Sequence, residues 1–285
     1  MKVLIIGANG QLGSELLQTC PTETRAFGMD VPEIDITNSI QVDRVLEAHA
    51  PDWVINCAAY TQVDKAESDA GAAHAVNCTG AANLARAIKK TRARLVLIST
   101  DFVFGGDQSR PYKPDDRPDP KSVYGKTKLA GEQAVSEILG IDALIIRTAW
   151  LYAAHGNNFV KTMIRLMKEK EVLTVVDDQV GTPCWAKGLA QAVWAAIEKK
   201  LTGVFHWTDA GVASWYDFAV AVQEEALAAG LLNRTIQVLP IPGRQYPTPA
   251  HRPDFSVLDK SDLVAAIGIS PEHWRRQLRR MLQEL

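Results

Sequence analysis

The chain has 285 residues, 47% hydrophobic and 22% charged, a balance typical of a soluble globular protein with room for a large core and two unequal parts. A formal net charge of −2 leaves no basic footprint and argues against nucleic acid or an anionic membrane as partner. Cys20, Cys57, Cys78 and Cys184 are scattered without a Cys-x-x-Cys pair, so neither a disulfide framework nor a zinc site is indicated.

The opening MKVLIIG is too short an apolar run for a signal peptide or a membrane span, and a reducing cytoplasm is the expected location. Residues 2–6 (KVLII), 52–57 (DWVINC), 94–99 (RLVLIS) and 143–147 (ALIIR) are nearly continuous apolar runs of strand length. Strands of that kind are covered on both faces, as in a parallel sheet with helices on each side. Between them lie helical patterns at 39–49, opened by the cap candidates Asn38 and Ser39, near 70–90, and at 123–139. This alternation predicts a doubly wound parallel α/β domain. Beyond Trp150 the pattern loosens: 173–185 reads as a strand and a turn, 186–200 as a helix, 203–207 as a strand and 214–229 as a helix. The Pro-rich stretch 239–253, with apolar and aromatic residues interleaved, reads as an ordered loop over a site. The C-terminal WRRQLRRMLQEL reads as a helix that lays a Trp/Leu/Met stripe on the body and solvates its arginines.

Directly after the first strand, GANGQLG supplies Gly7, Gly10 and Gly13 ahead of an amphipathic helix. Glycines there permit a sharp turn and bring backbone N–H groups up to a pyrophosphate at the helix N-terminus. Asp30 ends the next apolar stretch, where a carboxylate can accept hydrogen bonds from an adenosine ribose. Its charge disfavours a 2′-phosphate, and no arginine follows it directly, which leans the reading towards NADH. The expected fold is therefore an α/β, doubly wound, Rossmann-type sheet with a second, smaller α/β lobe. Residues 1–148 would form the dinucleotide-binding domain, rejoined by 171–202. Residues 149–170 and 203–285 would mainly form the substrate lobe.

DPKSVYGKTKLAG (119–131) puts Tyr124 and Lys128 one turn apart on one face of a helix. A free phenol has a pKa of about 10, so only about one in a thousand is ionised at pH 7. A nearby ammonium favours the phenolate and would draw that value towards the working range, making a matched acid for a carbonyl oxygen. The pair alone proves little, because an exposed helix start with a solvated lysine has the same spacing. Upstream, LVLISTDFVFGG ends a buried strand with Ser99, Thr100 and Asp101, and strand C-termini are where open α/β sheets hold ligands. Thr100 could donate to the same carbonyl oxygen; Ser-Thr-Asp is equally a common turn.

Taken together, Gly7–Gly13, NCAAYTQVDKAE (56–67), STDFVFGG (99–106) and YGKTK (124–128) resemble the extended short-chain dehydrogenase/reductases. RTAWLYAAHGNNFVKTM (147–163), DDQVGTP (177–183) and YPTPAHRPDFSVLD (246–259) narrow the resemblance to the dTDP-4-dehydrorhamnose reductase family. That resemblance implies that Gly10, Gln11 and Leu12 cradle the pyrophosphate of NADPH or NADH and that Asp35 and Ile36 lie near the adenine. It implies that Ala58, Ala59 and Thr61 line the cofactor, Thr100 and Asp101 contact the sugar, Tyr124 gives the proton and Lys128 holds the ribose. Trp150 would pack against a 6-deoxysugar, although a core indole at the domain junction is the simpler reading of its type. Arg252 could pair with the nucleotide diphosphate, or merely make a surface salt bridge.

The implied substrate is a dTDP-4-ketosugar, with C4 reduction giving dTDP-L-rhamnose, a cell-surface polysaccharide precursor. Magnesium is implied by the family alone, since no histidine spacing or carboxylate cluster marks a metal site. A homodimer stays open. Phe102 stands where relatives commonly have tyrosine and where related 4,6-dehydratases have a working glutamate, which favours simple carbonyl reduction. LYAA lacks a glycine often found after that tyrosine. The alternatives are reduction of another nucleotide 4-ketosugar and a non-catalytic binding subunit on the same scaffold, such as the regulatory subunit of methionine adenosyltransferase.

Overall fold

A computed structural model describes all 285 residues. The buried apolar run at the N-terminus forms β1 (Lys2–Ile6), flanked on one side by β2 (Arg25–Met29) and on the other by β3 (Trp53–Asn56). β4 (Arg94–Thr100) and β5 (Ala143–Thr148) extend the sheet from β3, and β6 (Gly203–His206) closes that edge. The order is β6-β5-β4-β3-β1-β2, with every pair parallel. Two helical layers cover it. α1 (Gln11–Gln18) contributes Leu12 and Leu16 to one face. α2 (Ser39–His49), α3 (Ala81–Lys89) and α4 (Val123–Leu139) cover the other through residues such as Leu46, Leu84 and Val135. As expected, Asn38 caps α2, its side chain accepting from the N–H groups of Ile40 and Gln41.

A second core lies beyond the sheet. α5 (Phe159–Glu169) packs there on Met163 and Met167. α6 (Ala186–Glu198) returns to the first face, beside α1, through Leu189 and Val193. α7 (Trp215–Ala228) and α8 (Trp274–Leu282) complete the smaller lobe around Phe218, Trp274 and Leu278. The arginines of α8 turn outward, with Arg275 and Arg279 bonded to Glu225 of α7 at 2.8 and 2.7 Å.

The structure redraws the sequence boundaries. Residues 203–206, assigned to the lobe, are a strand of the large sheet, because a four-residue edge strand with one buried side chain has little pattern of its own. Within 171–202, only the helical part sits on that sheet: Val172–Val176 pairs with Gln237–Ile241, and Val180–Gly181 pairs with Ala213–Ser214. Ser261–Ile267 also sends Leu263 and Ile267 into the first core. The helix expected near 70–90 breaks into three pieces, Ala70–His74, a π-helical turn at Ala75–Gly80, and α3.

Candidate active site

Gly7 turns the chain at the end of β1 with φ +79°. A Cβ on it would lie 2.7 Å from the backbone nitrogen of Ala58, so the loop meets the end of β3 with no room for a side chain. A Cβ on Gly13 would strike the Gly7 carbonyl, which presses α1 against the same turn. Gly10 holds the N-cap position and no side chain caps the helix, so the first-turn N–H groups of Gln11 and Leu12 are left for an anion. Leu12 itself is buried in the core and offers only its backbone. Gln11 accepts a hydrogen bond from Asn158 Nδ2 at 3.0 Å.

Asp30 accepts from the Asn9 and Val31 N–H groups at 3.0 and 2.9 Å, so part of its acceptor capacity shapes the loop. Asp35 is engaged locally, taking both the N–H and the hydroxyl of Thr37. Ile36 is buried against Gly80 rather than lining an open cleft. Ala58 and Ala59 are half-buried beyond β3, and Thr61 is exposed.

The candidate reacting centre lies where α4 meets the end of β4. Ser122 caps α4 through the Gly125 N–H at 3.1 Å, and Glu67 accepts from Val123 N at 2.8 Å. A Cβ on Gly125 would collide with the Phe102 carbonyl, so the first turn of α4 lies directly on the Asp101–Val103 turn. Thr100 donates to Asp101 Oδ1 at 3.0 Å and accepts from Phe102 N at 3.2 Å. Tyr124 and Lys128 are both buried, at 9% and 5% exposure, and Phe102 meets the Tyr124 ring edge-on at 5.6 Å.

Burial pushes the Tyr124 phenol up to about 12; the Thr100 side chain opposes that and the Asp101 charge reinforces it. This corrects the expectation that Lys128 draws the phenol down. The Lys128 ammonium donates to the Ile98 carbonyl at 2.7 Å, and its own pKa falls to about 8 through burial, with the Glu132 carboxylate pulling the other way. Burial likewise raises Asp101 to about 6, despite the Ser256 and Thr100 hydroxyls.

Sequence reasoning missed two supports of this centre. Asn77, on the π-helical turn, accepts from Tyr60 N at 2.9 Å and donates to Thr127 Oγ1 at 3.1 Å, tying the segment beyond β3 to the helix of the pair. Glu132 continues the four-residue spacing of Tyr124 and Lys128 and forms a buried ion pair with Arg147 of β5 at 2.7 Å. That repeat was visible in the sequence; the π-turn left no signal.

Two expected substrate contacts are already engaged. Arg252 makes a two-pronged pair with Asp64, at 3.0 and 2.8 Å, which is the salt bridge the sequence allowed as its alternative. Trp150, with a left-handed backbone at φ 42° that costs about 1–3 kcal/mol in a non-glycine residue, stacks on Trp215 with centroids 3.5 Å apart. One face of its indole is therefore already covered. No three His, Cys, Asp or Glu side chains converge on one point, so no residue is assigned to magnesium.

A parallel six-stranded sheet with a glycine turn closing its first strand defines a Rossmann-type α/β protein. Within that class the chain belongs to the family described as RmlD substrate binding domain, whose model matches residues 1–285. It is 39% identical to the dTDP-4-dehydrorhamnose reductase of Aggregatibacter actinomycetemcomitans, covering 98% of this chain and 97% of the relative. It is 41% identical to the protein of the same name from Burkholderia thailandensis, covering 96% of each. The crystal structure of dTDP-4-dehydrorhamnose reductase from Bacillus anthracis in complex with NADP superposes with a TM-score of 0.94, at 38% identity, covering 100% of this chain and 99% of that one.

Proposed function

We propose that this chain reduces the C4 ketone of dTDP-4-dehydro-β-L-rhamnose to dTDP-L-rhamnose with NADPH or NADH, in the synthesis of a cell-surface polysaccharide precursor. The observation that carries the reading is a buried, protonated phenol at the end of β4, beside Thr100, with Lys128 one turn along the same helix. Full-length relatives of 39% and 41% identity bearing the reductase name support it.

Reduced nicotinamide, when bound, would supply the hydride; the glycine turn and the uncapped N-terminus of α1 fit its pyrophosphate. The chain supplies the proton and the polarisation. Tyr124 Oη protonates the ketone oxygen as charge gathers there, which suits a phenol that stays protonated across the neutral range. Thr100 donates to the same oxygen, giving up its bond to Asp101. The Lys128 ammonium stabilises the phenolate that remains and would hold the cofactor ribose when it is bound. Phe102 offers no exchangeable proton, so the chemistry stops at reduction.

Asp30 leans towards NADH, whereas the Bacillus anthracis relative was solved with NADP. The two backbone bonds of Asp30 commit part of its charge to the loop, which weakens the case against a 2′-phosphate. A cytoplasmic setting is supported by four free thiols. The test is to mix purified protein with several nucleotide 4-ketosugars and each cofactor, following the reduced-nicotinamide absorbance. The dTDP-4-dehydrorhamnose reaction should be fastest; no consumption with either cofactor would defeat the assignment.

A further inference from the structure

We propose that Trp215, in the smaller lobe, is a positioning residue for the sugar nucleotide, setting the plane of the Trp150 indole that walls the site beyond β5. The inference rests on the reductase reading above and adds to it a determinant of sugar binding.

The geometry is specific. Trp150 follows β5 by two positions, on the same strand-end rim as Thr100. Its backbone is left-handed, a conformation that a non-glycine residue adopts only where its surroundings hold it. Trp215 begins α7, and its ring lies over the Trp150 ring at an interplanar angle of 6° with centroids 3.5 Å apart. Such full overlap is less favourable for an isolated pair than an offset or edge-on arrangement, so the surroundings must impose it.

Those surroundings are visible. The antiparallel pairing of Val180–Gly181 with Ala213–Ser214 brings two neighbours of the indole together. A Cβ on Gly181 would stand 2.6 Å from Trp150 Cε2, so only glycine lets the wall come this close. Ser214 and Asp217 form a reciprocal cap that fixes the start of α7, and Phe159 packs on Trp215 at 4.7 Å. Both indoles nevertheless remain partly exposed. Two large aromatic side chains held parallel at the partly exposed edge of the second core, beside the strand-end rim, are poorly explained by core packing alone.

The experiment compares wild type with Trp215→Ala, Trp215→Phe and Trp150→Phe. Parallel indoles at this distance should give an exciton couplet in far-ultraviolet circular dichroism, lost in all three variants. Trp215→Ala should raise the KM for the ketosugar roughly tenfold or more, leaving the nicotinamide KM and the pH profile unchanged, with partial rescue by Trp215→Phe. Calorimetric binding of dTDP-L-rhamnose reads the same effect without turnover, and Trp215→Phe carries the test if the alanine variant does not fold. A folded variant without the indole that keeps the wild-type KM and product affinity would overturn the proposal. Wild type that bound the product without turning over, while the variants bound it more weakly, would overturn only the reductase reading. Wild type that did neither would overturn both.

Discussion

A phenol raised to about 12 and an ammonium lowered to about 8 stand four residues apart on one buried helical face. Both shifts have the same origin, removal from water, and both favour the neutral form. Tyr124 thus keeps its proton in the resting protein, and in the proposed reaction needs the Lys128 charge only when it becomes a phenolate. Tyr124→Phe should lower kcat by about 10²–10⁴, the usual range for losing a general acid, with little change in the sugar-nucleotide KM by steady-state kinetics. For Lys128 the sign follows from its depressed pKa: the ammonium is present below about 8 and is lost as pH rises through that value. Plots of kcat/KM against pH should therefore bend down near pH 8 with either cofactor, and Lys128→Met should remove the bend along with most of the activity. In stability the same shift works the other way. An unfolded lysine holds its proton to about pH 10.4, so this residue destabilises the fold most below pH 8, and the penalty fades as pH rises to the unfolded value.

α4 carries this pair because it is pinned at its start and along its buried side: by Ser122 at the N-cap, by Asn77 through Thr127, and by Glu132 on Arg147. Arg147 also donates to the Pro114 carbonyl at 3.1 Å and faces His206, whose pKa is lowered to about 3, chiefly by burial. Removing one partner of such a pair leaves a buried charge uncompensated. Arg147→Met should lose about 3–5 kcal/mol in urea unfolding, while Arg147→Met with Glu132→Leu should recover much of that. How legible these elements were depended on how much each announced itself. β1, β3, β4 and β5 are continuous apolar runs and stood out in the sequence. β2 showed only as the apolar stretch before Asp30 and was not assigned as a strand, because RAFGM breaks its pattern with a glycine and lies on an edge. The glycine loop and the Tyr124–Lys128 spacing could be read directly, since each depends on local sequence. Asn77, Trp215 and the engagement of Arg252 with Asp64 could not, because each depends on residues that meet only after the chain has folded.

The two lobes are joined by a chain that passes between them several times, and by side chains that span them. Arg252 on the Pro-rich loop grips Asp64, which lies beyond β3, with both partners partly exposed. A pair so open to solvent adds only about 0–1 kcal/mol to the fold, so a diphosphate could take over the guanidinium at little loss. Arg252→Ala should therefore weaken dTDP binding about tenfold by calorimetry while moving the melting temperature by no more than a few degrees.

β6 reaches the sheet only after the chain has left it to form α5 and α6, yet it is the strand that covers β5. A fragment cut near residue 150 would leave β5 a bare template of unpaired N–H and C=O groups, flanked by apolar surface that α6 should seal. Such a piece should self-associate on expression and fail to refold, whereas the intact chain should unfold in one concerted step. The boundary that looks natural along the polypeptide is, for folding, the wrong place to cut.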